Sequence, residues 1–179
     1  MSEPIRVFIA VNLPEKTKDR IASELLSWLP SEGIKAVERE NLHITMKFLG
    51  YLGEKALEET IKKLEFAKKT KKFEIELKGI GHFHKRVLWL GIGKGARELS
   101  ELGYKIDDAL GLRDEKFHPH ITLARNKWMK GADFEKTIAG LEKKNFCEAI
   151  KAESLDVMQS VLTPQGPKYS LLEKIFFSE

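Results

Sequence analysis

The feature that most constrains this chain is a tetrapeptide that occurs twice, as His43-Ile44-Thr45-Met46 and, 77 residues later, as His120-Ile121-Thr122-Leu123. Each copy lies in an apolar, β-branched run that predicts a strand. Side chains alternate between the two faces of a strand, so His and Thr of each copy share one face. Ile with Met or Leu takes the other face, which suits it to packing under a helix. Two such strands turned toward one cleft would surround a small anionic group.

The rest of the chain supplies elements for both halves. Ile5 to Val11 reads as a strand, and Asn12-Leu13-Pro14-Glu15 starts a helix, with Asn12 as the cap candidate and proline in the first turn. Ile21, Leu25, Leu26 and Leu29 have helical spacing, and Pro30-Ser31-Glu32-Gly33 ends that helix. A strand over 42–49 leads to a helix over about 54–69 with Leu57, Ile61 and Leu64 inward, followed by paired strands over 73–81 and 86–92. Then come a helix near 95–110, a strand near 117–124, a helix near 132–144, and strands near 148–161 and 168–177, the last two joined by the turn Thr163-Pro164-Gln165-Gly166-Pro167. Strands and helices mix without a strict βαβ repeat, which predicts an α+β fold with antiparallel sheet over a doubly wound one.

Composition excludes several classes. With 179 residues, 42% apolar and 32% charged, the chain is long enough to bury a core as one domain, or as two small lobes sharing a core, and too apolar to be disordered. No stretch approaches the roughly 20 apolar residues of a membrane span, and Met1-Ser2-Glu3-Pro4 opens no secretory signal, so a cytoplasmic location is expected. The single cysteine, Cys147, excludes an internal disulfide and is expected in or near the core. A net charge of +4 mildly favours anionic partners, and Lys68, Lys69, Lys71 and Lys72 read as a solvated helix end. Twenty-four Lys and 21 Glu against two Gln give a composition associated with hot environments.

An imidazole with a pKa of about 6.5 gives or takes a proton near neutrality, and a Thr hydroxyl donates to phosphate oxygen. One histidine would activate water while the other protonated a departing sugar oxygen, with a bell-shaped pH profile around neutrality. A single His-x-Thr is ordinary strand composition, but two copies among five histidines in matching contexts are hard to attribute to chance. The rival pattern, His82-x-His84 with His118-x-His120, has the look of four metal ligands. It leaves the first tetrapeptide unexplained, so a site without metal or cofactor is the simpler expectation. No Walker loop is present, and Gly91-Ile92-Gly93-Lys94-Gly95 reads as a strand-to-helix turn.

These residues resemble the RNA 2',3'-cyclic phosphodiesterase and 2'-5' RNA ligase-like branch of the two-histidine phosphoesterase superfamily. The resemblance covers essentially the whole chain. It takes in Val7-Phe8-Ile9-Ala10, Leu42 to Gly50, Arg86-Val87-Leu88-Trp89, Pro119 to Arg125, and Ser160, Gly166 and Tyr169. It implies a bilobal, pseudo-twofold α+β fold in which two antiparallel sheets line a central cleft with helices outside. It also implies RNA with 2',3'-cyclic phosphate ends, or nucleotides, as partner, without membrane or obligatory protein partner, and opening of the cyclic phosphate to a 2'-phosphate. In family terms His43 donates the proton to the leaving 3' oxygen and His120 accepts one from water, with Thr45 and Thr122 on the phosphate. Arg125 matches the family's arginine after the second motif. Strict alternation would aim it away from the His120 face, so that role requires a bulge or strand end near Ala124. Tyr169 and Phe8 are expected in aromatic packing more than base stacking. The same groups running in reverse would join RNA ends through a 2'-5' linkage. The competing reading is a non-catalytic RNA- or nucleotide-binding module that kept the cleft, against which the intact His and Thr of both motifs argue.

Overall fold

A computed structural model describes residues 3–112 and 117–179. Nine strands and four α-helices form a mixed α+β architecture among these residues. The strands are β1 (Ile5–Asn12), β2 (Ile34–Ala36), β3 (His43–Leu52), β4 (Phe73–Phe83), β5 (Val87–Ile92), β6 (His120–Asn126), β7 (Cys147–Ala152), β8 (Ser154–Thr163) and β9 (Gly166–Phe176). The helices are α1 (Glu15–Glu24), α2 (Glu54–Leu64), α3 (Ala96–Leu110) and α4 (Gly131–Glu142). No described helix is long and apolar enough to cross a membrane.

All strands join one antiparallel sheet in the order β7-β4-β5-β6-β3-β1-β8-β9, with β2 added to β6. Its two four-stranded halves meet where the repeated motifs lie. There the β-ladder between β3 and β6 is reduced to a single register pair, Ile44 opposite Ile121. The two expected sheets are thus halves of one, hinged at the motif strands.

The sheet is strongly curled. β7 is an edge strand and β8 lies six places away, yet only Glu153 separates them in the chain. Six places in a flat sheet would span about 29 Å at ~4.8 Å per strand, far beyond one residue's reach. The edges close on each other beside Glu153, where Phe73 and Phe177 stack at 6.1 Å and Phe177 N donates to Glu153 O at 2.8 Å.

The outer face carries the helices and the main core. Ile44, Met46, Ile121 and Leu123 point into that cluster with Leu99 and Ile106 of α3 and Phe134 of α4. Along β1 the alternation is clean: Val7, Ile9 and Val11 enter the main core, while Phe8 and Ala10 face the inner side with Met158 and Tyr169.

Several boundaries differ from expectation. α1 stops at Glu24 and the chain tightens into a short 3-10 turn at Leu26–Trp28, while α2 gives way to another at Glu65–Lys69. Asn12 does not cap α1. Its amide donates instead to the fully buried Asp156 carboxylate at 2.6 Å. β2 was not expected; three residues with one buried side chain leave too short a pattern to read. Cys147 is exposed, because β7 is an edge strand whose alternation turns Ile150 and Ala152 inward and Cys147 out.

Candidate active site

His43 and His120 are the first residues of β3 and β6, the two strands at the centre of the sheet. Their side chains and those of Thr45, Thr122 and Arg125 line one cavity of about 330 Å³ on the inner face. Both rings are held in the same way. His43 Nδ1 lies 2.6 Å from the Asn41 carbonyl oxygen, and His120 Nδ1 lies 2.7 Å from that of His118, two residues upstream in each case. A carbonyl only accepts, so Nδ1 carries the proton in both rings and Nε2 of the neutral form is the basic nitrogen. His43 Nε2 is 2.8 Å from Thr45 Oγ1, whose hydroxyl donates to it.

Aromatic rings floor each histidine. Phe8, 2% exposed, lies 5.0 Å from His43, and Tyr169 meets the same imidazole edge-on at 5.4 Å. On the other side Phe83 meets His120 edge-on at 4.9 Å, with Trp89 at 6.4 Å. Trp89 lies across Gly81, where any Cβ would collide with its ring. Phe8 is packing, as expected, while Tyr169 also lines the cavity.

This apolar enclosure governs the protonation of both rings. Burial pushes His43 down to about 4, against the Asn41 carbonyl, which favours the protonated ring, and with the charges of Lys18 and His120 adding to the decrease. His120 is lowered less, chiefly by burial, with His118 and Arg125 contributing and the His118 carbonyl opposing. Tyr169 is raised by burial.

Arg125 reaches the cavity because β6 bulges. Leu88 pairs with Ala124 but Trp89 pairs with Thr122, leaving Leu123 as an extra residue. Leu123 and Ala124 are both fully buried, and Arg125 returns to the inner face. β3 does the same at Met46, since Ile9 pairs with Lys47 and Ala10 with Thr45. Phe48 thereby turns into the cavity and Lys47 turns out, to an ion pair with Asp107 of α3 at 2.8 Å.

Sequence reasoning missed Phe48 as a cleft residue and Asn41 as a support. Asn41 binds the Pro167 carbonyl through its side chain at 2.8 Å while its own carbonyl holds His43. The signal for Phe48 was its spacing: it follows His43 by the same five residues that separate Arg125 from His120. The four histidines of the rival metal pattern do not converge. His82 packs on Phe134 at 5.7 Å and His118 on Trp89 at 5.1 Å, and no group of three or more His, Cys, Asp or Glu among the described residues is placed to hold a metal ion.

Residues 14–161 match the 2'-5' RNA ligase superfamily. The chain belongs to that superfamily. An RNA 2',3'-cyclic phosphodiesterase of Methanocaldococcus jannaschii is 34% identical over 179 residues, covering 95% of this chain and 99% of the relative. One from Aeropyrum pernix is 36% identical over 154 residues, covering 79% and 85%. The superfamily fold also appears in crystal structures of Escherichia coli LigT. The one complexed with NADP+ has a TM-score of 0.80 at 23% identity and covers 99% of this chain and 100% of LigT.

Proposed function

We propose that this chain hydrolyses the 2',3'-cyclic phosphate ends of RNA to 2'-phosphates, by acid-base catalysis between His43 and His120. The observation that carries the reading is the matched pair of imidazoles on one cavity, each with Nδ1 tied to a carbonyl and Nε2 as its basic nitrogen, that of His43 accepting from Thr45 Oγ1. The names of the Methanocaldococcus and Aeropyrum relatives support the same substrate class.

In the reaction His120 Nε2 takes a proton from water as the water oxygen bonds to phosphorus. The bond from phosphorus to O3' breaks, and O3' takes a proton from His43 Nε2, leaving the phosphate on O2'. Thr45 and Thr122 donate to the non-bridging oxygens, and the Arg125 guanidinium offsets their charge. With the cavity empty both rings are neutral at pH 7; the anionic phosphodiester raises the pKa of the imidazole beside the leaving oxygen and so loads it with a proton. Each half supplies one histidine, so the chain acts as one two-lobed domain. Two imidazoles already supply acid and base, so the reaction needs no metal. With a 5'-hydroxyl in place of water as the nucleophile, the same displacement of O3' forms a 2'-5' linkage.

The test is product analysis after incubating nucleoside 2',3'-cyclic phosphates with the protein and excess chelator. Formation of nucleoside 2'-phosphates is expected. Unchanged substrate that still binds would make the protein a binding module, and turnover lost in chelator but restored by zinc would favour the metal reading.

A further inference from the structure

The reaction cavity shares Thr45, Phe48, Phe83 and His120 with a larger hollow of about 900 Å³ that extends between β3 and the α2–α3 pair. Lys63 of that hollow also lines another of about 420 Å³, where it is joined by Lys69, Lys105 and Asp108. A third, of about 180 Å³, shares Thr70 and Lys105 and reaches Lys71 and Lys72, opposite Glu98 and Glu101. The three follow one another from His120 along α2, α3 and the segment after α2, each sharing at least one lining residue with the next.

We propose that this line is the track of the RNA strand. The cyclic end sits between His43 and His120, and the single strand leading up to it lies along the α2–α3 groove with its phosphates over Lys63, Lys69 and Lys105. The inference rests on the reaction proposed above and adds where the body of the substrate lies.

Three observations support it. Lys47, Lys68 and Lys72 pair with Asp107, Glu65 and Glu179, but Lys63, Lys69 and Lys105 have no carboxylate partner among the described residues. Three like charges around one hollow that holds a single carboxylate, Asp108, favour a polyanion laid between them. Finally, Phe48 and Tyr104 are 63% and 55% exposed on the wall of the first hollow. Rings so placed offer flat faces to unpaired bases, and basic grooves with exposed aromatics are how single strands are bound without sequence reading. Lys69 of the lysine run near residue 70, otherwise part of a solvated helix end, thereby gains a partner.

The experiment compares a nucleoside 2',3'-cyclic phosphate with an oligoribonucleotide bearing the same end, using the intact protein and its Lys69→Glu/Lys105→Glu variant. The wild type should show a lower KM for the oligomer. The variant should raise that KM about tenfold or more, with kcat and the nucleoside kinetics unchanged. The slope of log KM against log salt should flatten by about 1.4, at ~0.7 per phosphate contact on a single strand. No chain-length preference in the wild type, or a preference the variant retains, would overturn the track. If the nucleoside is not hydrolysed at all, the reaction itself is wrong; the Kd of the oligomer for the two proteins then decides the track, and equal values would sink it.

Discussion

Phe48 and Arg125 occupy the same step in the two halves of the molecule. Each follows its histidine by five residues, past a one-residue bulge at Met46 or Leu123 that returns it to the cleft face. The backbone frame is therefore repeated while the chemistry is not, with an apolar ring on the His43 side and a cation on the His120 side. A cyclic nucleotide end has one flat base and one anionic group, and a near-symmetric frame needs such a difference to bind it in one orientation.

Arg125→Ala should lower kcat/KM by roughly ten- to a hundredfold, the loss of a hydrogen bond to a charged group of about 1.5–3 kcal/mol. Arg125→Lys keeps the charge but not the planar fork and should fall between the two. The Arg125 charge also depresses His120. Its removal should raise the His120 pKa and shift the alkaline limb of the pH profile upward, which a titration of the His120 ring by NMR would follow. An unmoved His120 pKa would mean that Arg125 does not face the ring.

The pH optimum of kcat/KM should lie on the acid side of 6.5. That parameter reports the unbound enzyme, whose active form carries one proton on the pair and is most populated between the two pKa values. His43 is pushed down to about 4 and His120 is lowered from its usual value, so the bell moves from the neutrality expected of ordinary imidazoles toward acid. In kcat, with the anionic substrate in place, both limbs should shift to higher pH. An optimum of kcat/KM above pH 7 would show that the free rings are not desolvated as described.

That displacement marks where sequence reading stops. His43, Thr45, His120 and Thr122 were legible because period-two alternation sets a residue's face locally. Arg125 was legible only as a condition, since a bulge depends on how β6 pairs with β5 and not on its own residues. The curl of the sheet, forced by the one-residue link at Glu153, and the rings of Phe8, Phe83 and Trp89 around the imidazoles come from distant segments brought together by folding. Desolvation follows from those contacts, so no local pattern announces it. Asn12 failed as a cap for the same reason, its partner Asp156 being 144 residues away.

Asp156→Ala should destabilise the fold without touching the cleft chemistry directly. The carboxylate is fully buried and accepts from Asn12 Nδ2 at 2.6 Å and Ser154 Oγ at 2.8 Å, with Lys174 at 3.6 Å. Removing it strands two donors, at about 3 kcal/mol in all. Denaturant unfolding measures this directly, and a change below about 1 kcal/mol would mean that water or Met158 Sδ takes over the Asn12 amide.

Thr45→Val and Thr122→Val should each cost less than loss of either histidine, because each removes one hydrogen bond to phosphate of about 1.5–3 kcal/mol. The two should differ in the empty enzyme. Thr45 is already bonded to His43 Nε2, so its replacement also frees that ring, and the His43 resonances should move in the Thr45 variant alone.

His43→Ala and His120→Ala should each lower turnover by at least about 10²-fold, the contribution of one proton transfer, while substrate affinity falls much less. The two variants fail at different bonds. If His43 protonates O3', a substrate whose leaving group needs no proton should restore turnover in His43→Ala and do nothing for His120→Ala, where water still lacks a base. The opposite result would exchange the roles. The proton distribution makes the experiment necessary: burial depresses His43 more than His120, so the singly protonated free enzyme holds its proton mainly on His120, and the proposed mechanism requires the bound phosphodiester to move it to His43. Full turnover in either alanine variant with the natural leaving group would remove the two-histidine mechanism altogether.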